Sequence, residues 1–155
     1  MTSNPVTQII SWIKKAVPSP TDKDIHNQLG LHFNEVAGML DVLKDAGSSF
    51  KGREKVTFAA DVMHFLSLQF KAFDEGIIID FEKINRIKLL DALCKQNVTS
   101  IGTAYVTGLD VEGGLQEVAD SNDSKFGADG TPIFNEQSKV VKGPRYKKPN
   151  LTNFV

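Results

Sequence analysis

Apolar residues recur every three or four positions through most of the chain, and this spacing predicts amphipathic helices. Candidate N-caps precede the periodic segments: Asn4 before Pro5, Thr21 or Asp22, and Asp110. The predicted helices cover residues 5–16, 22–46, 54–74, a segment that begins at Asp80, and a short segment that ends near residue 120. We therefore expect an all-α bundle of four to five helices.

The segment after Asp80 carries a carboxylate within its apolar row. The row comprises Ile84, Ile87, Asp91, Cys94, Val98 and Ile101. Its position predicts that Cys94 is a small buried residue and that Asp91 is a partly buried carboxylate. The preceding run 76–79 is β-branched but has no partner strand, so we expect a buried connector there.

The simplest interpretation of the aromatic and histidine residues in the predicted helices is a structural role. The aromatic side chains at helical spacing are expected in the core or at a subunit interface; they are Trp12, Phe33, Phe58, Phe65, Phe70 and Phe73. The three histidines are scattered, and a lone helical histidine is usually a satisfied surface or core residue. The sequence holds no P-loop, no nucleophile elbow and no His/Cys metal motif.

Helical periodicity stops after Ser121, and glycines and prolines punctuate the remaining chain. We interpret the 155 residues as one domain, with a helical body over 1–121 and an irregular basic arm over 122–155. An irregular segment of this length is usually functional or disordered.

The formal charge of −1 hides an uneven distribution. Residues 1–136 carry 13 basic and 19 acidic side chains, a sum of −6, whereas 137–155 carry five bases and no acid. The bases are Lys139, Lys142, Arg145, Lys147 and Lys148. An acidic body disfavours a nucleic-acid partner, so binding of nucleic acid through the arm is the last of our hypotheses.

The apolar runs, the cysteine content and the N-terminal sequence bear on where the protein is located. No apolar run approaches the roughly 20 residues of a membrane helix, so we expect no membrane partner. A single cysteine and an N-terminus without signal-peptide character predict a cytoplasmic protein.

Several segments resemble a known superfamily in chain order. They are Gln28–Leu40 (QLGLHFNEVAGML), Leu89–Gln96 (LLDALCKQ), Gly102–Tyr105 (GTAY), Glu117-Val118 with Ser121–Phe126 (SNDSKF), and Gly130–Tyr146. The chain is similar to the phage and bacterial branch of the MazG-like, phosphoribosyl-ATP pyrophosphohydrolase-like all-α NTP pyrophosphohydrolases. The resemblance implies a homodimer or homotetramer whose acidic residues hold Mg²⁺ and cut nucleoside triphosphates to a monophosphate and pyrophosphate.

The metal motifs of that superfamily are degenerate in this chain. Its Glu-Glu-x-x-Glu motif falls on Asn34, Glu35 and Gly38. Its Glu-x-x-Asp motif, with a further Asp four residues on, falls on Lys88, Asp91 and Lys95. These six positions would carry −6 in the full pattern, and here two acids and two bases sum to zero. We call these six residues the motif positions; two carboxylates beside two ammonium groups are a poor site for a divalent cation.

Two interpretations of the lysines remain open. Lys88 and Lys95 lie three residues before and four after Asp91, a spacing that suits an intrahelical ion-pair triplet neutralising the carboxylate. Alternatively, an ammonium replaces the metal at a bound triphosphate and keeps nucleotide binding without cleavage.

The segment with which members of the superfamily contact the nucleotide matches this chain more closely than their metal motifs do. The resemblance implies that Asn122 contacts a base or sugar and Lys125 a phosphate, with Lys142, Arg145 and Tyr146 as a lid. The alternative for the arm is a flexible basic C-terminus that packs on an acidic neighbour or crosses a subunit boundary. Glu117 is either a late carboxylate of the site or part of a solvated helix face.

These observations lead to two main hypotheses. The first is a non-hydrolytic nucleotide-binding or protein-interaction module, including a phage effector that acts on a host protein, with no cofactor. The second is an active Mg²⁺-dependent (d)NTP pyrophosphohydrolase. Its residual catalytic and metal-binding residues would be Glu35 and Asp91, with Glu117 or Asp110 as a further carboxylate. The phosphates would be held by Lys125, Lys142 and Arg145.

Overall fold

The structure is a computed structural model that describes residues 4–47, 49–135 and 140–155. Within these ranges the protein is all-α, as predicted, with five helices, no strand and an irregular C-terminal arm. The helices are α1 (Pro5–Ala16), α2 (Asp22–Asp45), α3 (Phe50–Lys71), α4 (Arg86–Val106) and α5 (Val111–Asp123). Short 3₁₀ turns cover Phe81–Lys83 and Thr152–Phe154. No helix of the described ranges is long and apolar enough to cross a membrane.

The chain divides into two compact units. The hairpin unit is Ser19–Ile84, which contains α2 and α3. The arm unit is the segment that ends at Pro18 together with Asn85–Val155, and it contains α1, α4, α5 and the arm. The expectation of a single domain stays a prediction.

The hairpin unit is built on two long helices packed along their length. Thr21 caps α2 in a capping box with Asp24, whose Oδ2 accepts from the Thr21 backbone N–H at 2.9 Å. Helix α3 begins at Phe50, four residues before the predicted start, because Ser49 accepts from the Gly52 N–H and caps it there. Gly30 lets the helices approach closely, since a Cβ on it would lie 2.8 Å from the Ser67 carbonyl oxygen.

His26 anchors the connector after α3 to α2, and it is 1% exposed. Its Nδ1 lies 2.7 Å from the Asp22 carbonyl oxygen, and its Nε2 accepts from the Ile79 N–H at 3.1 Å. The rings of Phe73 and Phe81 meet the imidazole edge to face. A satisfied core histidine thus holds the connector, which is not buried as expected: Ile78 is 71% exposed, and Ile77 and Ile79 are half-buried.

The arm unit packs α1 against α5. Asn4 caps α1 as predicted, accepting from the Val6 N–H at 2.9 Å. The Gln8 amide on α1 donates to Asp120 and Asp123 on α5, both at 2.8 Å. The buried apolar residues of this unit are Ala16, Ala119 and Phe126.

Helix α4 corrects the expectation of burial for Cys94 and Asp91. Every residue from Arg86 to Val106 is exposed except the half-buried Ala104, and the Asp91 side chain is 58% exposed. Among the large apolar residues of α4, Leu89 and Leu93 are the least exposed, and they lie on another side of the helix from the predicted apolar row. No residue of α4 is buried, so the apolar row that contains Cys94 faces solvent.

A Schellman motif ends α4. Gly108 has φ +78°, its N–H donates to the Tyr105 carbonyl, and the Leu109 N–H donates to the Ala104 carbonyl. Asp110 then caps α5 as predicted, accepting from the Gly113 N–H at 3.0 Å. The reversal brings the end of α4 beside α5.

Candidate functional site

The candidate residues of the C-terminal region lie together in the arm unit. We call Asn122, Lys125, Lys142, Arg145 and Tyr146 the arm site. Asn122 is in the last turn of α5, and its Oδ1 accepts from Lys125 Nζ at 2.7 Å. This bond fixes the ammonium group and leaves the amide NH₂ of Asn122 as a donor.

The arm folds back onto the residues that follow α5. The Gly143 N–H donates to the Lys125 carbonyl at 2.9 Å, and the Arg145 guanidinium donates to the Gly127 carbonyl. Lys142 Nζ lies 4.5 Å from the centroid of the Tyr146 ring. These hydrogen bonds hold the segment 142–146 next to Lys125 and Gly127; its role as a lid stays a prediction.

Two stacked aromatic rings lie beside Lys125 of the arm site. The rings of Trp12 on α1 and Phe126 are parallel, with centroids 5.8 Å apart. Lys125 Nζ lies 5.4 Å from the Trp12 ring centroid, and Lys15 Nζ lies 5.5 Å from that of Phe126. From helical spacing, Trp12 was predicted to lie in the core or at a subunit interface, and Lys15 was given no role. Helical spacing does not show which distant segment a side chain contacts.

The arm site has both cations and acids around it. Lys15 lies over the ring of Phe126, Lys125 over the ring of Trp12, and Lys142 over the ring of Tyr146. The Thr131 hydroxyl and N–H donate to the Asp129 carboxylate and hold the pKa of Asp129 below its ordinary value, with a smaller contribution from Arg145. The cations of the arm site are suited to attract an anionic ligand, and the neighbouring acids Asp120 and Asp123 each accept a hydrogen bond from Gln8.

Hydrogen bonds also tie the rest of the arm to α5 of the same chain. The Ser121 hydroxyl donates to the Lys147 carbonyl, and the Lys147 N–H donates to Ser124 Oγ, both at 2.8 Å. Glu117 Oε1 accepts from the Asn150 N–H at 2.9 Å. Glu117 therefore holds the arm with one of its carboxylate oxygens. Lys148 is exposed, and Lys139 lies outside the described residues.

The first group of motif positions lies on α2 in the hairpin unit. Glu35 is exposed and Asn34 is half-buried. Gly38 is exposed, and a Cβ built on it would meet nothing within 4 Å. The loss of a carboxylate at this position is therefore not imposed by packing within the structure.

The second group lies on α4 in the arm unit. Lys95 Nζ and Asp91 Oδ2 form an ion pair at 2.6 Å, with both side chains exposed. The ion pairs of the described residues include none between Lys88 and Asp91, so one half of the expected triplet is formed. The described ranges also contain no group of three or more His, Cys, Asp or Glu side chains placed to hold a metal ion.

Neither a protein-family model, nor a curated protein, nor a solved structure matches this chain.

Proposed function

We propose that the protein is a MazG-like, non-hydrolytic nucleotide-binding module that holds the phosphates of a nucleotide at the arm site. The observation that carries the proposal is that hydrogen bonds hold the segment with Lys142 and Arg145 against Lys125 and Gly127 in the arm unit. Three cations and the Asn122 amide supply donors to phosphate oxygens, and Tyr146 supplies a ring for a base or sugar.

The state of the motif positions supports binding without hydrolysis. Hydrolysis in the resembled superfamily relies on Mg²⁺ held by several carboxylates, and here the six positions sum to zero charge. The one ion pair formed there, between Lys95 and Asp91, occupies a carboxylate oxygen that a metal would need.

The test is calorimetric titration of (d)NTPs and the matching monophosphates into the full chain, in EDTA and then in Mg²⁺. We expect triphosphate binding in EDTA, weakened by about tenfold or more in Lys125→Ala, because a charge-assisted hydrogen bond contributes about 1.5–3 kcal/mol. Lys51→Ala is the matched control, since it removes one exposed lysine from α3 and should leave the affinity unchanged.

Two results would contradict the proposal. Absence of binding for every nucleotide would remove the arm site as a nucleotide site. Equal losses in the Lys125 and Lys51 variants would show that attraction to the protein is only a nonspecific effect of charge.

We also propose that the chain acts as a homo-oligomer. The many exposed apolar residues of α4 favour self-association. Size-exclusion chromatography with light scattering tests it; a monomer at all concentrations would contradict it.

A further inference from the structure

Helix α4 exposes one continuous apolar stripe. Its members are Ile87, Leu90, Cys94, Val98, Ile101 and Tyr105, which are all exposed and follow one another at spacings of three or four. On a helix this spacing places all six on one narrow face. We call this face the α4 stripe.

The α4 stripe is large enough to be an interface. Ile87 is 83% exposed and Tyr105 is 81% exposed. The six residues together present on the order of 700 Å², above the largest apolar patch of a typical monomer and close to one side of a standard interface.

Four of the six members of the α4 stripe lie symmetrically about Gln96, which is midway between Ile87 and Tyr105 and also midway between Cys94 and Val98. Leu90 and Ile101 do not: the positions opposite them in an antiparallel pair are Gly102 and Asp91. A two-fold dimer requires a surface that is complementary to itself when rotated by half a turn. Two antiparallel copies of α4 crossing at Gln96 would meet this condition at the four symmetric residues, with Ile87 against Tyr105 of the partner subunit.

The charges of α4 favour the antiparallel orientation over the parallel one. Arg86, Lys88, Asp91 and Lys95 all precede Gln96, with a sum of +2, and no charged residue follows it. Parallel pairing would set the two basic halves side by side, whereas antiparallel pairing sets each beside an uncharged half.

The ends of α4 give the same orientation independently. The first turn carries Arg86 and Lys88 and no acid, and the last turn carries no base. Cations are unfavourable at the positive N-terminal end of their own helix and favourable at a C-terminal end. An antiparallel partner brings its C-terminal carbonyl groups to these two cations.

We propose that α4 is the dimerisation helix of this protein and pairs with α4 of a second copy, antiparallel and centred on Gln96. The proposal specifies the interface of the homo-oligomer inferred under Proposed function and rests on that inference. It assigns the apolar row of α4 to a contact between copies of the chain.

Cross-linking at Cys94 tests the pairing directly, because the chain has no other cysteine. The two Cys94 side chains would lie on facing helices, with Cα atoms offset by about 6 Å along the axis from the 1.5 Å rise per residue. We expect a short bis-maleimide to yield a covalent dimer of the full chain and to yield none with Cys94→Ser.

A second variant fixes the orientation. In a Cys94→Ser background, Ile87→Cys, which lies on the α4 stripe, places the two introduced thiols about 27 Å apart along the axis of an antiparallel pair, so the same reagent should give no dimer. In a parallel pair they would be adjacent, and efficient cross-linking would overturn the antiparallel arrangement.

Light scattering of matched variants completes the test. Ile101→Asp buries a charge in the α4 stripe and should raise the dimer dissociation constant about tenfold or more. Thr99→Asp adds the same charge to α4 beside the stripe and should change it less than about threefold. A dimer that neither cross-links at Cys94 nor responds to Ile101→Asp would overturn the role of α4 while leaving oligomerisation intact. A monomer would overturn both.

Discussion

Helices α4 and α5 belong to the same unit but differ in burial and in their hydrogen bonds to the rest of that unit. Helix α5 contacts α1 and is tied to the arm through Ser121 and Glu117. Helix α4 has no buried residue, and its one ion pair joins two residues of the helix itself. The residues proposed to contact a nucleotide lie in the last turn of the supported helix and after it, whereas Lys88, Asp91 and Lys95 lie on the exposed one. The proposal of binding without hydrolysis rests on this difference.

The largest expected contrast is between apolar truncations in the two regions. Phe126→Ala removes a side chain that is 3% exposed and stacks on Trp12, so we expect a loss of about 3–5 kcal/mol of unfolding free energy. Leu90→Ala on α4 removes a side chain that is 63% exposed and should cost less than about 1 kcal/mol in dilute protein. Urea unfolding followed by the fluorescence of Trp12, the single tryptophan, measures both in the arm unit; equal losses would contradict the contrast.

One substitution should have opposite signs on the two helices. A Cβ on Gly113 of α5 would lie 2.5 Å from Asp110 Oδ2 and from the Phe154 ring, so Gly113→Ala should destabilise by about 1–2 kcal/mol. A Cβ on Gly102 of α4 would meet nothing within 4 Å, so Gly102→Ala should stabilise by about 0.5–1 kcal/mol. The same unfolding assay decides; destabilisation by Gly102→Ala would mean that α4 is packed at this position.

The smallest expected effect is on how the stability of the arm changes with pH. The pKa of Asp129 is lowered in the folded protein from 3.8, chiefly by the Thr131 hydroxyl and N–H, so ionised Asp129 stabilises the arm above about pH 4. This contribution is lost as the pH falls through the lowered pKa. Asp129→Asn and Thr131→Ala should both flatten the fall in stability below pH 4. Acid unfolding curves measure this, and a steeper fall in Asp129→Asn would contradict it.

Much of the helical framework could be predicted from the sequence, because caps and periodicity are local. The bounds of α1 agree with the prediction, and α2 ends one residue early with Ala46 as its C-cap. The start of α3 was wrong by four residues, since the cap at Ser49 lies before the apolar periodicity begins. Burial of Cys94 was wrong because periodicity identifies a face of a helix and not what covers it.

The resemblance could name the residues of the arm site, whose roles stay predictions, but it could not show which segments lie side by side. The resemblance indicated Asn122 and Lys125, and the structure adds the bonds from Gly143 and Arg145 that bring the lid residues beside them. The support by Trp12 could not be predicted, because it depends on how α1 packs against the segment after α5. Chemical type is local in the sequence, whereas the proximity of distant segments is a property of the fold.

The most direct test of the central claim is to measure nucleotide binding and pyrophosphate release in the same sample. The full chain is mixed with each (d)NTP and Mg²⁺ or Mn²⁺, and bound nucleotide and free pyrophosphate are followed together. We predict bound nucleotide and no metal-dependent pyrophosphate. Metal-dependent release that is lost in Asp91→Ala would contradict the account and establish the active pyrophosphohydrolase instead.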